Sequence, residues 1–501
     1  MNIVLMLLIF VPLLFGFAML VRPIENTHTR NTAVLAVCGA VSVGVVALLV
    51  IQAIRGGAGA DFVLCRIFGS EFSLAFRTDG LGAVFLCIVA VLWPITDLYA
   101  FEYMQHDSAQ NRFFAFFTMT YGVVIGIASA ANLFTLYLFY EMLTLCTLPL
   151  VMHAMDAKAR YAGLKYLIYS MSGAALAFIS MMILNRYGTL RFIGGGSLNA
   201  GLTAGNETLL YAGFLLGFFG FGVKAAVFPF HGWLPSAGIA PTPVTALLHA
   251  VAVVNAGVFA ILRLIYYGYG AAFLAGSFAQ KVMLAVTAFT IVYGSTMALR
   301  LQHMKRRLAY STVSNLSYIL FAAALCSGAG LTAALLHMIA HSALKIALFF
   351  CAGALLCRTE ELPQGEQEYV FQYVGYAKYT PAIFAVFTIA SLGLIGVPPL
   401  CGFDSKWAIA EAAAAQGSAL GITGCAALAI SAFLTGMYLL GPILQAYFPP
   451  HDFDASALTE LTDPGPRMKN ALWMTAALGL LLVFAMPSLQ NLLGSFAAAL
   501  I

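Results

Sequence analysis

Charge is the property that this sequence has least of. Only 9% of its 501 residues are Asp, Glu, Lys or Arg, whereas 62% are hydrophobic, and the mean hydropathy is +0.92. A surface so poor in charge would not keep a globular protein of this length dispersed in water. The composition therefore excludes a water-soluble globule and indicates a polytopic membrane protein.

Paired cysteines and phosphate-binding motifs are also missing. The nine cysteines are scattered through apolar segments without a CxxC pair or a Cys/His ligand spacing, so we expect no iron–sulfur or zinc site in this chain. No GxGxxG motif follows a predicted strand and no GKS or GKT loop occurs, which argues against a nucleotide site. The net charge of +4 is too small and too dispersed to indicate nucleic-acid binding.

Long apolar runs fill most of the chain. Runs of roughly 18 to 30 residues can cross a bilayer as helices. The first run lacks a basic flank and a small-residue cleavage site, so we interpret it as a retained span. The sequence predicts an all-α fold with about fourteen transmembrane helices, at 3–21, 31–53, 79–100, 112–130, 132–152, 161–184, 208–230, 241–266, 281–300, 306–327, 330–357, 381–412, 418–446 and 470–491.

The distribution of Lys and Arg predicts the orientation. Loops after odd-numbered helices hold 14 of these residues, and loops after even-numbered helices, which include the longer segments 54–78 and 194–201, hold 6. Because basic loops resist translocation, we expect the odd loops on the inner side and both termini on the outer side.

Proline occurs close to lysine in the seventh and twelfth predicted helices. Pro229 follows Lys224, and Pro398 and Pro399 precede Lys406. Since proline lacks a backbone N–H donor, we predict that both helices are broken and unwound. Their separation fits two five-helix repeats of inverted topology, helices 4–8 and 9–13. The predicted domains are 1–111 (helices 1–3), 112–266 (first repeat), 281–446 (second repeat) and 470–491 (last helix).

Several ionisable residues lie inside apolar runs. Glu141, Lys224, Lys345 and Lys406 would together cost about 10 kcal/mol if they faced lipid, so they must face the protein interior. His337, His341 and Lys345 are spaced by four residues and form a ladder along one helix face. They either pin helices together as buried pairs or relay protons.

Protonation chemistry favours the relay. Histidine titrates near neutral pH, and burial can bring lysine into that range, whereas arginine would stay charged. The predicted proton relay comprises Glu141, Lys224, His249, His337, His341, Lys345 and Lys406. His231 and His303 stand at predicted span ends, and we interpret them as loop groups.

The chain resembles a known family along residues 76–406. The stretches that carry the resemblance are FRTDGLGAVF, FYEMLTL, KYLIYSMSG, GFGVKAAVFPFHGWLPSAGIAPTPVTALLHAVAVVNAGVFAILR, MKRRLAYSTVSNLSY, LLHMIAHSALKIALFFCAG and SLGLIGVPPLCGFDSK. They are similar to the antiporter-like, proton-translocating subunits of respiratory complex I (NADH:quinone oxidoreductase), of multisubunit Na⁺/H⁺ antiporters and of energy-converting membrane hydrogenases.

The resemblance implies a role for each relay residue. Glu141 corresponds to the family's fifth-helix glutamate, Lys224 to the lysine of the broken seventh helix, and His249 to the eighth-helix relay group. Lys345 corresponds to the eleventh-helix lysine between two half-channels, and Lys406 to the twelfth-helix residue that leads to the far side.

Two places depart from the family pattern. After GWLP the family usually continues Asp-Ala-His, whereas this chain has Ser236, Ala237 and Gly238, so access from the inner side differs there. His303 stands at a position that is commonly acidic in the family.

The sequence thus predicts a proton-translocating subunit of a redox-driven or cation/proton antiporter complex in an energy-coupling membrane, bacterial or archaeal. The resemblance implies homologous membrane subunits and hydrophilic redox subunits as partners, with any iron–sulfur, flavin or nickel–iron centre held by them, and lipid around the chain. One alternative is a stand-alone secondary ion transporter, of the Na⁺/H⁺ or bicarbonate type, that works with a soluble partner. Another is a membrane scaffold with a decayed channel.

Overall fold

Helices make up almost all of the regular structure in the computed structural model, which describes residues 2–55, 59–68, 71–360, 368–453, 458 and 461–501. Within these residues lie the helices α1 (Asn2–Val21), α2 (Thr27–Arg55), α3 (Gly80–Tyr103), α4 (Gln110–Ala128), α5 (Leu133–Val151), α6 (Ala157–Tyr187), α7 (Ala200–Thr203), α8 (Glu207–Gly222), α9 (Leu234–Ala237), α10 (Thr242–Ala250), α11 (Val253–Arg263), α12 (Ala271–Leu274), α13 (Phe278–Arg300), α14 (Met304–Ala324), α15 (Gly328–Glu360), α16 (Pro381–Ile395), α17 (Cys401–Gln416), α18 (Ala419–Tyr447) and α19 (Pro466–Leu500).

The segment predicted as the loop 54–78 contains a β-hairpin. Strands β1 (Phe62–Phe68) and β2 (Phe72–Phe76) pair antiparallel, with Phe62 opposite Phe76. The Ala75 amide donates to Thr135 Oγ1 at 2.9 Å, which attaches the hairpin to α5. These strands are too short and too mixed in pattern to stand out beside the long apolar runs.

Among the described residues, eleven helical spans are long and apolar enough to cross a membrane, judged by length and composition. Ten are single helices, and the eleventh, Thr242–Tyr269, comprises α10, α11 and the helical turn that follows. The apolar helices α8 and α16 are shorter, because each ends at a predicted break. Helix α14 is not among the eleven, since Ser311, Ser314, Asn315 and Ser317 lower its hydropathy. The structure is therefore that of a polytopic helical membrane protein, while the predicted number of fourteen spans is not confirmed.

Loops that were predicted to share a side of the membrane contact one another. At one end, Arg191 pairs with Asp61 at 2.6 Å. At the other end, the Met304 amide donates to the Glu368 carbonyl at 2.9 Å, and Arg358 Nη2 donates to Thr462 Oγ1 at 2.9 Å. These contacts agree with the predicted grouping of the loops, and the side of the membrane on which each end lies stays a prediction.

Side-chain caps define where several helices begin. Asp79, Asn132, Asp156, Ser277 and Ser418 each accept a hydrogen bond from a backbone amide in the first turn of the helix that follows. Each such cap contributes about 1 kcal/mol of helix stability.

Helices α10, α11 and α15 form the centre of the molecule. The span from Thr242 to Tyr269 is completely buried, and α15 is nearly so, whereas α1, α2 and α19 present much of their surface outward. Helix α15 packs against α3, α10, α14, α16, α17 and α19. Asn255 Nδ2 donates to Ser342 Oγ at 2.9 Å across the junction between the two predicted five-helix units.

Candidate functional site: a buried line of ionisable groups

The first predicted break is present. Helix α8 ends at Gly222, and α-helix resumes only at α9, so Lys224 and Pro229 lie in an irregular segment. Trp233 Nε1 donates to the freed Val223 carbonyl at 2.7 Å. Ala226 has φ 54°, a conformation that costs a residue with a Cβ about 1–2 kcal/mol. The break therefore presents backbone groups to the protein interior and not to lipid.

Lys224 is completely buried within this break. Its ammonium donates to the Tyr140 carbonyl and lies 3.4 Å from the centroid of the Tyr140 ring. Glu141 Oε1 is 3.9 Å from Lys224 Nζ. The backbone here passes so close to α11 that a Cβ on Gly257 would lie 2.5 Å from the Ala225 amide nitrogen, so only glycine fits. At 3.9 Å, Lys224 and Glu141 form an ion pair whose atoms are too far apart for a direct hydrogen bond.

The second predicted break is also present. Helix α16 ends at Gly396, which has φ 91°, and α17 begins at Cys401, so Pro398 and Pro399 lie between two helices. Lys406 Nζ reaches back and donates to the carbonyls of Leu394 and Ile395 at 2.6 and 3.1 Å. Lys406 thereby caps the end of α16, where the helix dipole is negative.

The ladder on α15 is buried along its whole length. His337 is 1% exposed, and His341 and Lys345 are 0% exposed. His337 Nδ1 and Ser405 Oγ are hydrogen bonded at 3.0 Å, and the rings of His337 and His341 are 6.4 Å apart between centroids. Lys345 Nζ donates to Ser311 Oγ at 2.7 Å. The ladder thus connects toward α17 at one end and toward α14 at the other.

His249 joins the ladder from the neighbouring helix. Its ring stacks on Phe349 of α15, with centroids 4.7 Å apart, and it interacts electrostatically with Lys345 and His341. No hydrogen bond or ion pair between described residues joins it to Lys224. The relay residues therefore form two groups, Glu141 with Lys224, and His249 with the ladder and Lys406.

Both of these groups contain unpartnered polar atoms. Among the described residues, both ring nitrogens of His249 and His341, Nε2 of His337 and Oε1 of Glu141 have no hydrogen-bond partner. Buried polar groups usually have one, supplied by protein or by ordered water. These atoms are free to bind water between the two groups.

A row of hydroxyl groups extends the ladder, and these groups are not among the residues predicted from the sequence. Ser311 Oγ is 2.6 Å from Tyr438 Oη, which donates to Thr435 Oγ1 at 3.3 Å. Tyr318 stacks on His337 with centroids 5.3 Å apart, and its ring centroid is 5.3 Å from Lys406 Nζ. The serine-rich start of α14 was the available signal for Ser311, whereas nothing in the sequence indicates that α18 lies against it.

The two histidines interpreted as loop groups have defined surroundings. His231 is buried at 7% exposure in the short helix Phe230–Trp233, with its ring centroid 4.9 Å from that of Tyr293, so it is not a loop group. His303 directly precedes α14, and its Nε2 lies 3.3 Å from Glu368 Oε2. Burial lowers the pKa of His303, and the Glu368 carboxylate opposes that effect.

After GWLP, where the chain departs from the family pattern, Ser236 forms a side-chain hydrogen bond. Lys165 Nζ donates to Ser236 Oγ at 3.0 Å. The neutral hydroxyl of Ser236, in α9, thus accepts the hydrogen bond from Lys165, in α6. Ser236 stands at the position where the family pattern usually has Asp.

Arg263 is a buried cation that the relay does not use. It forms two hydrogen bonds to the Asp79 carboxylate, at 2.5 and 2.7 Å, and lies 4.5 Å from the centroid of the Tyr267 ring. A bidentate pair of this kind combines two charge-assisted hydrogen bonds. It anchors α11 to the beginning of α3.

Two family models match the chain. Residues 130–435, more than half of the sequence, match the model described as NADH:quinone oxidoreductase/Mrp antiporter, TM. Residues 66–114 match the model described as NADH-ubiquinone oxidoreductase (complex I), chain 5 N-terminus. The two matches cover most of the hairpin, both breaks and every predicted relay residue.

Curated relatives are longer than this chain. NADH-quinone oxidoreductase subunit L of Mycobacterium tuberculosis is 31% identical over 383 residues, which are 76% of this chain and 58% of the relative. Chloroplastic NAD(P)H-quinone oxidoreductase subunit 5 of Ipomoea purpurea is 30% identical over 427 residues, 79% of this chain and 56% of the relative. The chain thus spans somewhat more than half the length of these proteins.

Two solved structures share the whole fold. A chain of the Mrp complex from a Dietzia species has a TM-score of 0.84 at 21% identity, with 100% of this chain and 98% of that chain covered. A chain of an archaeal membrane-bound sulfane sulfur reductase, a respiratory membrane complex, has a TM-score of 0.82 at 21% identity, with 99% and 100% covered. At this identity the likeness concerns the fold.

Proposed function

Because this chain belongs to the NADH:quinone oxidoreductase/Mrp antiporter transmembrane family, we propose that it is a proton-translocating, antiporter-like subunit of a multisubunit membrane complex. The observation that carries the proposal is the line of ionisable groups through the centre of the molecule, whose members are buried except for the half-buried Glu141 and Lys406. It runs from Glu141 and Lys224 at one helix break, past His249 and the α15 ladder, to Lys406 at the other break.

The ion pair at the first break is the control point of the proposed cycle. Glu141 stabilises the protonated form of Lys224 across 3.9 Å. At an effective dielectric constant of about 20, two charges at this distance attract by about 4 kcal/mol. Movement of Glu141 away from Lys224 would remove most of that attraction and so favour release of the lysine proton.

The second group of residues accepts the proton. Water bound to the free nitrogens of His249 and His341 carries the proton from Lys224 to Lys345. From there the proton passes His341 and His337 to Lys406. The breaks at Pro229 and Pro398–Pro399 let this water reach the lysines, since irregular backbone at membrane depth is tolerated beside water or protein.

Tyr438 offers a specific test of the hydroxyl row beside Lys345. Tyr438→Phe keeps the aromatic ring but removes the hydroxyl that lies 2.6 Å from Ser311 Oγ. Loss of one hydrogen bond of about 0.5–1.5 kcal/mol should slow proton translocation about two- to tenfold. The measurement is proton uptake by proteoliposomes containing the complex. Tyr99→Phe is the matched control, because the buried Tyr99 hydroxyl donates only to the Phe350 carbonyl. Equal rates in both variants would remove the hydroxyl row from the path.

The proposal also covers the setting of the chain. Other membrane subunits, including homologous antiporter-like ones, would flank it, and hydrophilic subunits would hold any iron–sulfur, flavin or nickel–iron centre. The membrane would be an energy-coupling one, the inner membrane of a bacterial or archaeal cell, with both chain termini on its outer side.

Affinity purification from native membranes tests this setting. A tagged chain, solubilised in mild detergent, should elute with several membrane subunits and, in a redox-driven complex, with hydrophilic subunits that carry redox centres. Elution alone, or with a single soluble partner, would instead favour the stand-alone ion transporter.

A further inference from the structure

Asp97 of α3 is a completely buried carboxyl group outside the proton relay. Within the described part of the chain, neither of its oxygens has a hydrogen-bond partner, and no Lys, Arg or His forms an ion pair with it. The proposed relay does not involve this residue, so its burial needs another explanation.

Two neighbouring helices supply polar groups to Asp97. The thiol of Cys38, on α2, is a neighbour of Asp97 and of Thr118 on α4, and neither the Asp97 oxygens nor the Thr118 hydroxyl has a partner at hydrogen-bonding distance among the described residues. Tyr121, also on α4, interacts electrostatically with Cys38 and Asp97, and its hydroxyl is 2.6 Å from Ser42 Oγ. Cys38 and Tyr121 are the titratable groups that face Asp97. Among the described residues of α10, α15 and α19, which also pack on α3, no charged group acts on it.

These surroundings suit a neutral acid and not a carboxylate. A buried anion needs a cation or several N–H donors, and neither is present around Asp97 in the described chain. A protonated carboxyl has one O–H donor and further acceptor sites, which match a thiol and a hydroxyl. A hard metal cation would require a shell of oxygen ligands, whereas a thiol faces this carboxyl.

We propose that Asp97, together with Cys38 and Thr118, forms a proton-binding site that is separate from the relay and is occupied at neutral pH. The site lies where α2, α3 and α4 meet, so its proton belongs to the N-terminal helices and not to either predicted five-helix unit.

Infrared spectroscopy of the purified protein, with the subunits it retains, tests the proposal directly. The wild type at neutral pH should show a carbonyl band of a protonated carboxyl that Asp97→Asn lacks. The control is Glu207→Gln, because Glu207 is exposed and lies at the beginning of α8, outside the helices that surround Asp97. This variant should leave the band unchanged. A spectrum in which Asp97→Asn loses no such band overturns the proposal.

Two further measurements secure the result. Addition of sodium chloride should leave the band in place, and its loss on addition of sodium would overturn the proposal in favour of a cation site. If Asp97→Asn does not assemble, the carboxyl band is measured in Cys38→Ser instead. Serine changes the neighbour of Asp97, because a hydroxyl is a stronger hydrogen-bond donor than a thiol. The band should then shift, and an unchanged band would contradict the assigned contact.

Discussion

Lys345→Arg is expected to lose most proton translocation, about tenfold or more, although it preserves the positive charge. Arginine holds its proton at least about a hundredfold more tightly than lysine, so it cannot release it during turnover. Lys345 is completely buried, donates to Ser311 Oγ and interacts electrostatically with both His249 and His341. A permanent cation at this point would block the line from either direction. Proton uptake by proteoliposomes, driven by the complex's own reaction, measures the effect.

Two controls separate this explanation from packing. Lys305→Arg introduces the same larger group at another buried lysine, at the beginning of α14 and outside the relay, and should retain activity. His341→Gln keeps hydrogen-bonding capacity but cannot titrate near neutral pH, so it should lose less activity than Lys345→Arg, because water can bypass a neutral group. Full activity of Lys345→Arg would exclude Lys345 from the path.

Lys224→Ala is expected to abolish translocation while most of the complex still assembles. The substitution removes the proton carrier at the first break and leaves Glu141 without the cation that lies 3.9 Å away. Assembly should survive, since a carboxyl group that has lost its cation can take up a proton and become neutral. Subunit content is measured on native gels, and proton uptake is measured in proteoliposomes.

A double-mutant cycle on the thermal stability of the complex tests whether the two residues act as a pair. Combining Glu141→Gln with Lys224→Ala should lower stability by less than the sum of the two single losses, because residues that interact directly are not additive. Glu141→Gln by itself should also slow translocation. Lys281→Ala, at an exposed lysine near the start of α13, is the control and should pump normally. Normal pumping by Lys224→Ala with intact subunit content would refute the assigned role.

The two helix breaks could be predicted from sequence because proline stands close to an intramembrane lysine at each of them. Proline removes a backbone donor, but Pro94, Pro149 and Pro442 lie inside continuous helices, so proline alone does not mark a break. The ladder of His337, His341 and Lys345 could also be predicted, since a spacing of four residues fixes one helix face. Burial of the ionisable groups followed from the cost of charge in lipid.

Contacts between distant helices could not be predicted. Tyr438 and Ser311 are 127 residues apart, and their hydroxyls meet only because α18 packs close to α14. Asp97 was one carboxyl near the end of an apolar run, and only the structure shows that its neighbours include no cation in the described chain. His231 stood beside a proline and read as a loop residue, whereas aromatic rings enclose it. Each of these depends on which helices lie side by side.

Lys406 donates hydrogen bonds to two carbonyl groups at the end of α16, and these bonds allow its charge to change without movement of the side chain. A protonated amine has three N–H donors and a neutral amine has two, and Leu394 and Ile395 require only two. Lys406 can therefore keep both hydrogen bonds in either protonation state. What differs is its attraction to the negative end of the helix, about 0.3–1 kcal/mol at an exposed site and more when partly buried. The side chain of Lys406 can thus stay in one position while its charge changes.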